Sequence, residues 1–209
     1  MTIDLRRQYG RLAAGYDENR GLFDMNEVIH TFYRDFTVER GNLLDLGCGA
    51  GEPMSRWFVD RGWTVRGIDY TPEMVDLARK YVEEMDATVA DMRDVSFPPE
   101  TYDGIISVYS LFHLPSEDQF MMLERMYRWL TRGGRALFTY ATKSYTGHDV
   151  FSGYKLFMGE ELFYSHRTPA ELSHELDRIG FVTESMIYRD IGGEIFLWVT
   201  VVKSGNVLE

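Results

Sequence analysis

One cysteine, Cys48, stands among 209 residues. A lone thiol closes no internal disulfide and builds no multi-cysteine metal site, so stability has to come from a buried core, as in a reducing compartment. Proline is scarce, at six residues, and no linker rich in Pro, Gly or Ser, no repeat and no low-complexity tract divides the chain. Apolar runs stay well short of the ~20 residues that a membrane-spanning helix needs. Residues 1–11 carry charge where a secretory leader would need an apolar stretch. Basic residues are the minority: 22 Lys and Arg face 33 Asp and Glu, for a net charge of −11. That sign repels phosphate backbones and anionic membrane surfaces. The expectation is one cytoplasmic domain over residues 1–209, a monomer or homodimer with no metal, no nucleic-acid partner and no membrane partner.

What the chain does have is 44% hydrophobic residues, punctuated so that strands and helices alternate. Met25, Ile29, Phe32, Tyr33 and Phe36 recur at helical spacing and predict a helix over 22–39, closed by Gly41. A strand at 43–46 runs into a glycine loop at 47–51. A helix through Met54, Trp57 and Phe58 stops at Gly62, and a second strand follows at 64–68. Thr71-Pro72 reads as an N-cap with proline at the first helical position. Strands at 87–90 and 102–109 come next. Ser116 to Gln119 reads as a capping box for a helix reaching Leu130, and Gly133-Gly134 as a turn into a fifth strand at 135–141.

The rhythm then breaks. Residues 142–167 are aromatic-rich and irregular, and Thr168-Pro169-Ala170-Glu171 is a capping box for a helix ending at Gly180. Strands at 181–189 and 194–203 are joined through Gly192-Gly193, a hairpin signal. Right-handed crossovers make the first five strands parallel, and the hairpin forces one antiparallel strand. The fold expected is α/β and Rossmann-like, a seven-stranded, mostly parallel sheet with helices on both faces.

Chemistry concentrates at three strand ends. Leu43-Leu44-Asp45-Leu46 leads into Gly47-Cys48-Gly49-Ala50-Gly51, a loop whose missing Cβ atoms let a ligand approach the backbone. The helix behind it offers free N–H groups, and Asp45 can meet an ammonium group. Asp69 ends the second strand, where a carboxylate can accept both hydroxyls of a ribose. Asp91 ends the third, with Met92 beside it to face an adenine. Open α/β sheets bind ligands at this carboxyl edge.

On these residues the chain resembles the class I S-adenosylmethionine-dependent methyltransferases, small-molecule type. Leu44 to Gly51 is similar to their first motif, Gly67-Ile68-Asp69 to the ribose-binding acid, and Ala90-Asp91-Met92 to the adenine motif. Tyr102 to Ser107 with Leu111-Phe112-His113 resembles the fourth-strand motif, and 130–137 the turn into the fifth strand. The resemblance implies that Asp45, Gly47 and Gly49 hold the methionine part, that Asp69 takes the ribose and that Asp91 takes the adenine amino group. An N-terminal cap over residues 1–20 would close on the donor through Tyr9 or Tyr16. Cys48, Tyr70, Met74, Met92 and Val108 complete the expected donor shell, with Cys48 serving as a small loop residue.

The acceptor is then expected beneath a lid at 142–167, whose Tyr145, Phe151, Tyr154, Phe157, Phe163 and Tyr164 suit an apolar pocket for a small molecule. Transfer needs in-line approach and, for some acceptors, loss of a proton. His113, His166 and Tyr164 are the candidates to assist it. Two other readings stay open. One is a donor-binding regulatory or partner-binding module that transfers nothing. The other is an NAD-dependent oxidoreductase, disfavoured because Glu52 stands at the sixth position of Gly-x-Gly-x-x-Gly, where pyrophosphate needs Gly or Ala.

Overall fold

The computed structural model describes residues 4–19, 21 and 23–204. The start of the expected first long helix at Leu22, and residues 1–3 and 20 of the expected cap, lie outside them. In chain order the elements are α1 (Arg6–Ala14), α2 (Tyr16–Asn19), α3 (Asn26–Arg34), β1 (Asn42–Leu46), α4 (Met54–Val59), β2 (Thr64–Asp69), α5 (Pro72–Tyr81), β3 (Asp86–Val89) and β4 (Tyr102–Ser107). After a short 3-10 turn at Leu111–His113 come α6 (Ser116–Trp129), β5 (Leu130–Tyr140), α7 (Lys143–Thr146), β6 (Phe151–Phe157), β7 (Glu160–His166), α8 (Pro169–Ile179), β8 (Phe181–Ile191) and β9 (Glu194–Lys203).

Seven strands form one sheet in the order β3-β2-β1-β4-β5-β9-β8. The first five pair in parallel, and β9 runs antiparallel to both β5 and β8. This is the Rossmann-like architecture expected. Val28, Ile29 and Phe32 of α3 pack one face together with Phe58 of α4 and Val75 of α5. Met122, Leu123 and Met126 of α6 pack the other face with Leu172 and Leu176 of α8. A third cluster, with Leu5, Phe112, Leu162, Tyr164 and Phe196, closes over one edge of the sheet.

Four local expectations need correction. Helix α3 stops at Arg34, short of 39, and Phe36 reaches the core as a ring against Phe32, Phe58 and Trp63. Thr71 takes the N-cap position of α5 with Pro72 at the first turn, as expected, and what needs correction is only the capping bond, which its side chain does not make. The Ser116 capping box is absent, because Pro115 takes the N-cap position. The same side chains fasten β7 instead: Ser116 Oγ meets Ser165 Oγ at 3.3 Å, and Gln119 Nε2 donates to Leu114 O, Ser165 O and Ser165 Oγ at 2.8–2.9 Å. Gly133-Gly134 sits inside β5, where Tyr102 pairs Leu130 and Gly104 pairs Arg135, so the intervening residues bulge from the ladder.

The segment 142–167 is not irregular. It folds as α7 and a hairpin of β6 and β7 in register from Phe151↔His166 to Phe157↔Glu160. Met158 and Gly159 make its two-residue turn with φ of 47° and 84°, as a primed hairpin turn requires. The capping box at Thr168 is present in full.

Candidate active site

The carboxyl ends of β1 to β4 open into a cavity of about 300 Å³, the scale of small-molecule sites. Its floor is the loop after β1. Gly47 N and Cys48 N donate to Ile68 O at 2.7 and 3.1 Å, which ties the loop to β2. Ser110 Oγ donates to Leu46 O at 2.6 Å from the β4 side. Gly47 has φ of +77°, and a Cβ on it would lie 2.2 Å from Ser110 Cβ. Gly49, at φ +51°, has only open space where a Cβ would be, so its backbone is bared to the cavity.

Every donor-shell residue named from the sequence lines this cavity: Tyr9, Tyr16, Asp45, Gly47, Cys48, Gly49, Asp69, Tyr70, Met74, Asp91, Met92 and Val108. Asp45 is 4% exposed and accepts a hydrogen bond from Ser55 Oγ at 2.7 Å. Burial pushes its carboxyl up to about 7, Ser55 pulls it back, and the charge of Asp69 adds to the rise. Burial also raises Asp69, although Gly49 N and Thr71 N donate to its two oxygens at 3.0 and 2.9 Å. Asp91 goes the other way. Its burial is outweighed by Arg93, whose guanidinium grips it at 2.6 Å and also reaches Asp118 at 3.3 Å.

The roof comes from both ends of the chain. Leu5 N donates to the Tyr70 hydroxyl at 2.8 Å, and Arg11 pairs with Glu160 of β7, so α1 is tied down over the opening next to the hairpin. Tyr9 and His113 meet beneath it, with Tyr9 Oη 2.6 Å from His113 Nε2. His113 Nδ1 lies 2.5 Å from Phe163 O. A carbonyl only accepts, so Nδ1 carries the proton and Nε2 accepts from the Tyr9 hydroxyl. Burial pushes His113 down to about 4. It is neutral near pH 7, with its lone pair already engaged.

The other two assisting candidates separate. Tyr164 lines the cavity beside His113. His166 does not. It is fully buried, with Nε2 2.7 Å from Thr146 Oγ1 and its ring facing Phe151, so it holds α7 to the hairpin. Within 142–167 only Phe157 and Tyr164 reach the cavity; Tyr154 is half exposed on the outer face.

Other lining residues escaped the sequence reading. Phe23 and Met25 come from the segment before α3, Tyr109, Ser110 and Phe112 from the turn after β4, and Glu194 and Phe196 from β9. Strand β9 is antiparallel to β5, so its first residue sits at the same edge as the ends of the parallel strands. The hairpin signal at Gly192-Gly193 held that clue.

Comparison with known proteins places the fold among methyltransferases. Residues 43–134 match the family model of the methyltransferase domain. Aklanonic acid methyltransferase DauC of Streptomyces sp. (strain C5) is 34% identical over 128 residues, 57% of this chain and 53% of that one. The 18S rRNA (guanine-N(7))-methyltransferase bud23 of Schizosaccharomyces pombe is 32% identical over 109 residues, 47% of this chain and 40% of that one. The chain spans about half the length of these curated relatives or less. A solved S-adenosylmethionine-dependent methyltransferase structure from Listeria monocytogenes superposes with TM-score 0.70 at 20% identity, covering 86% of this chain and 97% of that one.

Proposed function

We propose that this chain, which has the class I S-adenosylmethionine-dependent methyltransferase fold and carries the methyltransferase domain over residues 43–134, moves the methyl group of S-adenosylmethionine to a small-molecule acceptor. The observation that carries the reading is the pair of carboxylates, buried Asp45 and half-buried Asp69, both raised by desolvation, in a cavity floored by bare glycine backbone. Two desolvated acids whose proton affinity rises together favour a cationic ligand. A pyrophosphate would meet them as a third anion, with Glu52 also on the lining. S-adenosylmethionine fits: it brings an ammonium group, a ribose diol and a sulfonium whose methyl is ready for in-line displacement.

Asp45 and the loop backbone would hold the amino-acid end, and Asp69 would accept from the ribose. Asp91, kept ionised by Arg93, keeps lone pairs for an adenine amino group, and Met92 and Met74 supply its apolar walls. Tyr9 and Tyr16 would close over the donor from α1 and α2. A small acceptor is favoured because α1 and the hairpin cover the cavity and tie to each other. Among the described residues, Arg93 is the one lysine or arginine on the lining, and it is already paired twice.

The test supplies methyl-labelled S-adenosylmethionine with two acceptor pools, one of extracted small metabolites and one of total RNA. Label transfer to the small-molecule pool is the expected result. Transfer confined to RNA would remove the acceptor class, and donor binding without transfer to either would leave a binding module.

A further inference from the structure

Given a methyl donor in this cavity, its far end says which atom accepts. The sheet order acts as a ruler, because neighbouring strands lie ~4.8 Å apart. Asp91, Asp69 and Asp45 follow β3, β2 and β1 at one side, while Glu194 opens β9 two strands beyond β4. Glu194 is therefore separated from the donor acids by the breadth of the cavity that all four line. Around it the walls are aromatic. Tyr109 stands 5.5 Å from Phe196 and 5.7 Å from Phe23 between ring centroids, and Phe112 stacks on Phe196 at 4.7 Å.

Two features mark this end as built to hold something polar. The Tyr109 hydroxyl is buried and has no hydrogen-bond partner among the described residues. Tyr109 also has φ of +54°, a left-handed conformation that costs a non-glycine residue energy, and Thr139 Oγ1 takes its backbone N–H at 2.7 Å to hold it there. An orphaned buried hydroxyl and a strained backbone at one cavity residue point to a ligand.

Charge then selects the nucleophile. An oxygen or sulfur acceptor must attack as an anion, or nearly so, and needs a base and a cationic cradle. The cradle is absent from the lining among the described residues, where Arg93 is taken, His113 is neutral with its lone pair engaged and His166 is elsewhere, and the Glu194 carboxylate at this end would repel an anion. Lys155 lies off the lining, with its ammonium on Tyr145 O and over the Tyr145 ring, and its charge acts on Glu194 from there. A neutral nitrogen attacks with its own lone pair and needs no base. We propose that the acceptor is a small neutral amine, seated among Phe23, Tyr109 and Phe196, whose nitrogen becomes cationic beside the Glu194 carboxylate.

The step balances without a further reactant. The N–CH3 bond forms as the CH3–S bond breaks, the pair of that bond stays on sulfur as a neutral thioether, and the positive charge passes to nitrogen. The extra N–H proton leaves after the product reaches water. Glu194 would stabilise charge where it develops, and aromatic faces favour an ammonium. Tyr109 would fix orientation by accepting an N–H.

The probes are trimethylphenylammonium, which mimics the charged product, and its neutral carbon isostere tert-butylbenzene. Both are titrated into protein saturated with S-adenosylhomocysteine. The cation should bind at least tenfold more tightly, and Glu194→Gln should erase that preference while S-adenosylhomocysteine affinity stays within twofold. Tyr109→Phe should raise KM for an arylamine several-fold with little change in kcat. Equal binding of the two probes, a preference that survives Glu194→Gln, or faster methylation of a phenol than of the matched aniline would each overturn the proposal. Failure of S-adenosylhomocysteine to bind at all would overturn the donor reading itself, and so the two failures are distinguishable.

Discussion

The two sides of the cavity are built from different materials. The side proposed to hold the donor is backbone and short acids: the loop after β1, with Asp45, Asp69 and Asp91 at consecutive strand ends. Each of these groups lies within a residue or two of a strand, so hydrogen-bonded ladders fix its place. The side proposed for the acceptor is aromatic side chains drawn from the segment before α3, the turn after β4, the hairpin and β9. Contacts between residues distant in sequence, such as His113 with Phe163 O of the hairpin, assemble it. The donor side can therefore tolerate very little change, whereas the acceptor side can be re-lined without losing the fold.

Substitutions at the donor side should have the largest effects. Gly47→Ala combines a left-handed backbone with a Cβ 2.2 Å from Ser110 Cβ, and should destabilise the protein by about 3 kcal/mol or more in chemical denaturation. Gly49→Ala carries the backbone penalty but meets open space, so about 1–2 kcal/mol is expected. Similar losses at both glycines would show that the loop is not braced by β4 as described.

Next in size is Asp69→Ala, which should weaken donor binding by about 1.5–3 kcal/mol, the range for hydrogen bonds to a charged group. Unchanged affinity in titration would remove the ribose assignment. A comparable loss from Phe157→Ala, on the acceptor side, would erase the division between the two sides.

Asp45 supplies a pH dependence. Its carboxyl, raised to about 7 by burial, is largely protonated in the free protein below that pH. A cation beside it favours the carboxylate, so binding releases a proton and affinity rises with pH, by at most about tenfold per unit for one proton. The rise should appear between pH 5.5 and 7.5 and vanish in Asp45→Asn. For the free protein the sign is opposite. The folded state holds a proton that the unfolded state has lost, so stability falls as pH climbs from about 4 to about 7. Asp45→Asn should therefore raise Tm at pH 8 and leave it unchanged at pH 4.

The smallest effect is expected at Thr168, whose side chain accepts from Glu171 N at 3.2 Å and caps α8 just after the hairpin. Thr168→Ala should cost about 1 kcal/mol of stability with donor affinity intact, as measured by denaturation and titration. A fall in donor affinity would mean that the hairpin side holds the donor as well.

The same division explains what the sequence disclosed. Strand periods, right-handed crossovers and the Gly192-Gly193 hairpin were sufficient for the seven-stranded sheet and its one antiparallel strand. The gathering of Asp45, Asp69 and Asp91 on one cavity was legible because a strand end is a local feature. The hairpin at 151–166 was not, because its aromatic residues mask the alternation and its turn is Met158-Gly159 rather than a strong turn pair. His166 looked like a site residue from its place in a lid, but only the fold shows its ring turned to Thr146. Glu194 stayed hidden until β9 was placed beside β5, since nothing near it in sequence carries chemistry. Ser116 to Gln119 shows the reverse error, a real motif put to tertiary use.

The assignment of Asp45 and Asp69 to a site for a cationic methyl donor can be tested directly. Calorimetric titration of S-adenosylmethionine at pH 7, in two buffers of different ionisation enthalpy, reads affinity and proton release together. Saturable binding is expected with net release of up to about half a proton, since Asp45 is raised to about 7; the release should disappear in Asp45→Asn, and NAD should not bind under the same conditions. Saturable NAD binding with no response to S-adenosylmethionine would contradict the assignment.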